Sequence, residues 1–488
     1  MKATIVIKDE VNIKIEGLDL DARKALVNAF KYENPAARYL PAVRLGRWDG
    51  KVAYFQLGGS TYVNLLPEIM PILERLDYDV ELDDQRDYSN TFNFESVTET
   101  SFAHVTWPKT HPAAGEPIML RDYQVEIINN FLANPQCIQE VATGAGKTIM
   151  TAVLSNAVTP YGRSIVIVPN KSLVTQTEAD YINMEQDVGV YFGDRKEYGC
   201  QHTICTWQSL NNLLKNTKAG VGDCTIGEFL EDVVCVIVDE VHMAKADALK
   251  TLLTGVMAQV PIRWGLTGTV PKEKFESQAL LVSLGPVIGR LSASELQQQG
   301  VLANCHVNIV QLIDHVEYKD YQSELKYLLE ESGRLDTMAD LINRVNETGN
   351  TLVLVDRTEC GRQLVERLGE RAVFVSGSTK TKNRQAEYDQ VADATDKILV
   401  CTYGVAAVGI NVPRLFNVVM VEPGKSFVRV IQSIGRGLRK AEDKDYVNIY
   451  DITSTCKFAK RHLQKRKVFY KEAGYPMSLE KLEWMKIK

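Results

Sequence analysis

The stretch that most constrains this chain is Val141-Ala142-Thr143-Gly144-Ala145-Gly146-Lys147-Thr148. The apolar run Cys137–Val141 leads in with strand character, and Thr148–Val158 leads out with helical spacing. A strand, a glycine-rich turn and a helix in that order aim backbone N–H groups inward at phosphate oxygens. Gly144 and Gly146 keep Cβ atoms out of the approach. Thr143, Gly144, Ala145 and Gly146 then form the cradle, Lys147 reaches the β- and γ-phosphates, and the Thr148 hydroxyl helps hold Mg²⁺. The strict motif has a glycine where this chain has Val141.

At 488 residues the chain is too long for one core, and about 100–200 residues per domain suggests three or so. No run of eighteen apolar residues offers a membrane span, and the first residues lack a signal-peptide apolar core. The nine cysteines are scattered, and Cys235 and Cys401 sit in apolar runs, as free thiols do in a reducing, cytoplasmic compartment. Cys200, His202 and Cys205 have no second cluster to complete a zinc site. A net charge of −6 excludes a uniformly basic nucleic-acid binder but leaves room for a local basic groove.

Periodicity divides the chain into five parts. Residues 1–85 read as a small α+β domain, with strands at Ala3–Ile7 and Val11–Ile15 and helical runs at Leu20–Tyr32 and from Pro67 to Tyr78. Asp49-Gly50 predicts a two-residue hairpin turn that gathers Arg44, Arg47, Lys51 and Trp48, with Arg47 and Lys51 as nucleic-acid candidates. An acidic patch from Asp77 to Asp87 leads into residues 86–116, read as a linker with or without an edge strand. Residues 117–295 and 296–455 each alternate short apolar runs with helical segments, so the fold class is α/β, with two tandem parallel-sheet lobes. Residues 456–488 read as a basic helical tail carrying Lys457, Lys460, Arg461, Lys465, Arg466 and Lys467.

Three further stretches carry chemistry. The buried-strand run Val233–Val238 ends in Asp239-Glu240-Val241-His242, which offers Asp239 to Mg²⁺ and Glu240 to the attacking water. Arg121 and Gln124, about twenty residues before the glycine turn, suit a nucleotide base, because an amide both donates and accepts. Gln432, Arg436 and Arg439 follow in Gln432-Ser433-Ile434-Gly435-Arg436-Gly437-Leu438-Arg439, where the two arginines share a helix face. Such guanidiniums stabilise charge on a transferring phosphoryl group.

In order and number these motifs resemble those of superfamily 2 helicases, over about residues 117 to 455. Val141–Thr148 resembles motif I, Asp239–His242 motif II, Leu266–Thr269 motif III, Thr402–Pro413 motif V and Gln432–Arg439 motif VI. Within that group the chain is similar to the phage UvsW helicase family, whose N-terminal domain carries a turn like Gly46–Lys51. The resemblance implies two RecA-like lobes, ATP and Mg²⁺ as cofactors, Gly409 near the nucleotide, and closure that brings Arg436 and Arg439 to ATP. It implies nucleic-acid contacts from Pro169, Ser172, Thr175, Gln176, Thr206, Trp207, Gln208 and Thr402, and a coupling role for Thr267 and Thr269. The expected substrates are branched or duplex DNA, with an RNA–DNA hybrid as a further one, acted on by a monomer or weak oligomer in a phage-infected bacterial cell. Two alternatives stay open: another superfamily 2 motor (a restriction-type translocase or an RNA helicase), and an ATP-sensing clamp that does not translocate.

Overall fold

The computed structural model describes the chain except residues 36, 87–90, 109–112, 223, 242–245, 272, 378–386, 389, 392–393, 408–413, 426–443 and 485–488. It divides into two units, residues 1–141 with 146–290 and residues 142–145 with 291–488.

Alternating apolar residues build the first sheet. In β1 (Lys2–Ile7), Ala3, Ile5 and Ile7 are buried, as are Ile13 and Ile15 in β2 (Asn12–Glu16), the antiparallel partner of β1. A helix, Leu20–Ala29, is capped by the Asp19 side chain, which accepts from the Ala22 N–H. β3 (Lys31–Glu33) pairs antiparallel with β4 (Lys51–Ala53), so Asp49-Gly50 is not a two-residue hairpin turn. The connection between these strands is long and holds its own short helix, Pro41–Arg44. β5 (Ser60–Tyr62) and β6 (Asp79–Asp84) complete the sheet in the order β5-β2-β1-β6, so part of the acidic patch is an edge strand.

This sheet shares a core with the lobe that follows. Ala279 and Val282, on the helix Lys274–Leu284, pack in the same apolar cluster as Ile5, Leu26, Phe55 and Ile69. Buried Tyr54 donates to the Phe275 carbonyl at 3.2 Å. The segment expected as a linker also packs on this lobe: the Asn93 N–H donates to the Tyr161 hydroxyl, and the Phe94 ring lies 6.1 Å from that of Trp264.

The lobe itself is an eight-stranded sheet made of β7 (Gln136–Val141), β8 (Arg163–Val168), β9 (Val188–Phe192), β10 (Arg195–Lys196), β11 (His202–Thr206), β12 (Val233–Asp239), β13 (Ile262–Thr267) and β14 (Val287–Leu291). Its order is β10-β9-β11-β8-β12-β13-β7-β14. The pairs from β9 through β7 are parallel, and β10 runs antiparallel to β9. Val233–Val238 are all buried, as a strand covered on both faces requires.

The second unit contains a seven-stranded, all-parallel sheet. Its strands are β15 (Asn304–Ile313), β16 (Thr351–Val355), β17 (Ala372–Val375), β18 (Ile398–Thr402), β19 (Asn417–Val421), β20 (Tyr446–Ser454) and β21 (Met477–Glu483), in the order β17-β18-β16-β19-β20-β15-β21. The tail is therefore not purely helical. Its helix, Lys457–Glu472, returns the chain so that β21 pairs with β15. Arg466, read as part of the basic helical tail, is 1% exposed and makes two 2.8 Å bonds to Asp451, whose carboxylate also accepts from the Tyr470 hydroxyl.

Candidate active site

β7 ends at Val141, and the turn that follows holds Gly144 at φ +92° and Gly146 at φ +83°. Those left-handed angles suit glycine and set up the helix Lys147–Val158. A Cβ on Gly146 would stand 2.5 Å from Gln124 Nε2, so the Gln124 amide lies directly on the turn. Gln124 is held there by its own Oε1, which accepts from the Arg121 N–H at 3.0 Å. Arg121 is exposed, and its Nη1 donates to the Tyr123 hydroxyl. The two residues expected near a base therefore stand together beside the phosphate turn.

Lys147 is buried, and its Nζ lies 2.9 Å from Glu240 Oε1 while donating to the Val141 carbonyl at 3.3 Å. Glu240 reaches it through a left-handed backbone, φ +50°, at a cost of about 1–2 kcal/mol for a residue with a Cβ. That turn separates two adjacent acids. Asp239 stays half-buried at the end of β12, and its Oδ1 accepts from the Glu240 N–H at 2.8 Å. The other Glu240 oxygen accepts from the Gly268 N–H at 3.4 Å, and Thr267 Oγ1 donates to the Thr269 carbonyl. Thus Glu240 joins three separated stretches: the glycine turn through Lys147, the end of β12, and the end of β13. Sequence spacing names these residues but does not show that the lysine and the glutamate neutralise each other. Thr143 and Thr148 are half-buried and Ala145 buried.

The expected nucleic-acid residues divide. Pro169, Thr206 and Gln208 line a cavity of about 380 Å³ on the first lobe. Two cations that spacing did not single out, Lys171 and Lys196, line it as well. Lys196 lies on β10, a strand without an apolar signal, with its ammonium 4.3 Å from the Tyr191 ring centroid. Several expected contacts are already engaged. The Thr206 hydroxyl accepts from the Ser209 N–H as a helix cap, Thr175 Oγ1 donates to its own helix at the Lys171 carbonyl, and Trp207 packs on the lobe core. Gln176 is half-buried, and Ser172 lies on the same helix, its side chain outside the described residues. Thr402 ends β18 and is half-buried. Arg47 and Lys51 are exposed on the N-terminal domain. Gly409, Gln432, Arg436 and Arg439 lie outside the described residues.

Residues 117–272 match the model of the type III restriction enzyme res subunit, and residues 333–441 match the helicase conserved C-terminal domain. The chain is 23% identical over 448 residues to the ATP-dependent DNA helicase uvsW of Enterobacteria phage T4, covering 88% of this chain and 86% of that protein. It is 25% identical over 367 residues to the DNA 3'-5' helicase XPB of Kineococcus radiotolerans, covering 73% of this chain and 63% of the relative. In fold it is similar to the ATP-dependent type ISP restriction-modification enzyme LlaBIII, with a TM-score of 0.56 and 15% identity over 86% of this chain and 36% of that one. Both halves of a motor are matched in order, each on its own parallel sheet. The chain therefore belongs to the superfamily 2 helicases, enzymes with two RecA-like domains that hydrolyse ATP, and within them it resembles UvsW.

Proposed function

We propose that the protein is an ATP-dependent DNA helicase that remodels branched DNA, by branch migration, fork regression and the unwinding of R-loops and D-loops, in phage recombination, repair and replication. The observation that carries the motor reading is the buried Lys147–Glu240 pair at 2.9 Å, with Glu240 also bonded to Gly268. A phosphate arriving at the glycine turn competes with Glu240 for the lysine. Glu240 is then released toward water, and the bond to Gly268 carries the change to the end of β13.

Asp239 and Thr148 fit Mg²⁺. They offer one carboxylate and one hydroxyl, and Mg²⁺ takes few protein ligands, filling its shell with waters and phosphate oxygens. Among the described residues no group of three His, Cys, Asp or Glu side chains forms a cage for a metal. When bound, the ion neutralises charge on the phosphates. Arg121 and Gln124 hold the base side of the nucleotide, and Gln432, Arg436 and Arg439 act on the γ-phosphate. Lys171 and Lys196, with Pro169 and Gln208, hold a nucleic-acid backbone, so binding is sequence-tolerant and weakened by salt.

DNA as the substrate is supported by the names of the two relatives, and the branched form by the similarity to uvsW across most of both chains. A restriction-type translocase is the second reading, favoured by the match over residues 117–272. Steady-state ATPase across single-stranded, duplex, forked and four-way DNA and an RNA–DNA hybrid tests the choice. Forked and four-way DNA are expected to stimulate most. Stimulation by linear duplex alone favours the translocase, and no stimulation by any DNA overturns both.

A further inference from the structure

The connection between β3 and β4 lies outside the two matched helicase segments, residues 117–272 and 333–441, and is held at several points. Residues 37–48 leave one strand and return to the next, and their base is closed at several points. The Asn34 N–H donates to the Gly50 carbonyl at 2.9 Å, Trp48 Nε1 donates to the Lys51 carbonyl at 2.8 Å, and Lys31 pairs with Asp49 at 2.6 Å. Gly50 is buried at φ +75°, and a Cβ there would press on Ala37. Within the loop, the N–H groups of Arg47 and Trp48 both donate to the Ala42 carbonyl. The base in turn rests on the motor lobe. Tyr54, just past β4, bonds the Phe275 carbonyl and lies under the Lys250 ammonium, 4.5 Å from its ring centroid.

The braced segment exposes three large apolar side chains. Tyr39 is 63% exposed, Leu45 64% and Leu40 45%. Arg44 and Arg47 are exposed in the same segment, and among the described residues neither makes an ion pair, while Lys51 is exposed at its base, near the Asp49 carboxylate. Arg38 stacks its guanidinium 4.8 Å from the Tyr39 ring centroid. Apolar side chains exposed together in one segment mark a candidate contact surface. Two arginines without a counter-ion in the same segment point to an anionic cover, and the exposed tyrosine and leucines to a flat apolar face. A nucleic acid offers that combination where base pairs end: phosphates at the sides and an exposed base plane in the middle.

We propose that residues 37–48 are a wedge that sits at the branch point of a DNA junction, with Tyr39 and Leu45 against the last stacked base pair and Arg44 and Arg47 on the flanking phosphates. The inference rests on the branched-DNA reading and adds the element that recognises the branch. Because Tyr54 beside its base is bonded to the helix that follows β13 and lies under Lys250 of the helix that follows β12, movement of the motor lobe is passed to the wedge.

The test uses the full chain with the double substitution Tyr39→Ala and Leu45→Ala, at two exposed positions where folding is not at stake. Unwinding of a four-way junction is measured beside ATPase on single-stranded DNA, with 2-aminopurine placed at the junction centre. Losing one base stack costs about 1–3 kcal/mol, so the ratio of junction unwinding to single-strand ATPase should fall about ten-fold or more. The rise in 2-aminopurine fluorescence seen with the parent protein should disappear, and Tyr39→Trp should retain it. An unchanged ratio with unchanged fluorescence, in a protein whose parent prefers junctions, overturns the wedge alone. A parent protein with no preference for branched over linear DNA overturns the branched-DNA reading and the wedge with it. Retained junction activity with loss of a protein–protein contact would assign the apex to a protein partner instead.

Discussion

Replacing Glu240 by glutamine would separate its observed role as counter-ion of Lys147 from its proposed role toward the attacking water. In the resting protein it is the counter-ion of Lys147, at 2.9 Å, with both side chains under 10% exposed. At an effective dielectric of about 20, unit charges that close attract by about 6 kcal/mol, most of which offsets the cost of removing them from water. Taking away one charge leaves the other buried and unpaired, at about 3–5 kcal/mol. Glutamine keeps the shape and can still accept from Lys147 and Gly268, so the lower end, about 3 kcal/mol, is expected. For a unit of this size that is a fall of about 5–10 °C in melting temperature without nucleotide. Bound nucleotide reverses the sign, because phosphate gives Lys147 a new counter-ion and the variant has no competing carboxylate. Glu240→Gln should therefore show a larger nucleotide-induced rise in melting temperature than the parent. Turnover should fall by about 10²–10⁴, the usual worth of a general base. Thermal unfolding with and without a non-hydrolysed ATP analogue, beside steady-state ATPase, reads all three. Near-normal turnover, or a nucleotide shift no larger than the parent's, would refute the shared role.

Other substitutions probe separate links. Gly146→Ala places a Cβ 2.5 Å from Gln124 Nε2 at a left-handed φ, so nucleotide affinity should drop at least ten-fold in a titration, with the fold retained by circular dichroism. Asp451→Ala strands the Arg466 guanidinium in the second unit, and chemical denaturation should show a loss of about 3–5 kcal/mol. His202 is buried with its Nδ1 2.8 Å from Ser164 Oγ, and burial lowers its imidazole to about 4. The unfolded chain takes up that proton near pH 6.5 and the folded chain only near 4, so stability is full above 6.5 and falls as pH drops through that window. The total is about 3 kcal/mol. A denaturation series from pH 7 to 4 should lose this part of its slope in His202→Asn.

What could be read in advance follows from where each signal resides. Val233–Val238 and Thr351–Val355 are buried on both faces, and such strands must be continuous apolar runs, which stand out in any sequence. Met477–Glu483 is an exposed edge strand carrying Glu480, Lys481 and Glu483; only its pairing with β15 makes it a strand, and that partner is far away in the chain. Asp49-Gly50 has the local chemistry of a hairpin, but β4 takes its partner from Lys31–Glu33 across an inserted helix, so tertiary pairing overrides the turn. In the basic tail, spacing cannot tell Arg466, which meets Asp451 in the interior, from its solvated neighbours. At the site, Lys147, Asp239 and Glu240 stand out in the sequence because each lies in a motif at or just past the end of a strand. Their pairing is not, since it depends on the positive φ of Glu240.

The N-terminal sheet changes how its role must be tested. By periodicity residues 1–85 form a separate domain, and deleting them is the direct way to ask what they recognise. In the structure Ala279 and Val282 of the motor lobe are buried in their core, and Phe275 and Gln136 bond to Tyr54 and Asn64. Truncation would expose that apolar face and leave those polar groups without their partners, so the remaining motor would be destabilised as well as lacking a domain. A fall in both branched-DNA activity and single-strand ATPase would then be expected even if the domain served only to recognise junctions. The deletion therefore cannot separate recognition from support. Substitutions at exposed positions such as Tyr39 and Leu45 can, because they alter the outward surface and leave the shared core intact.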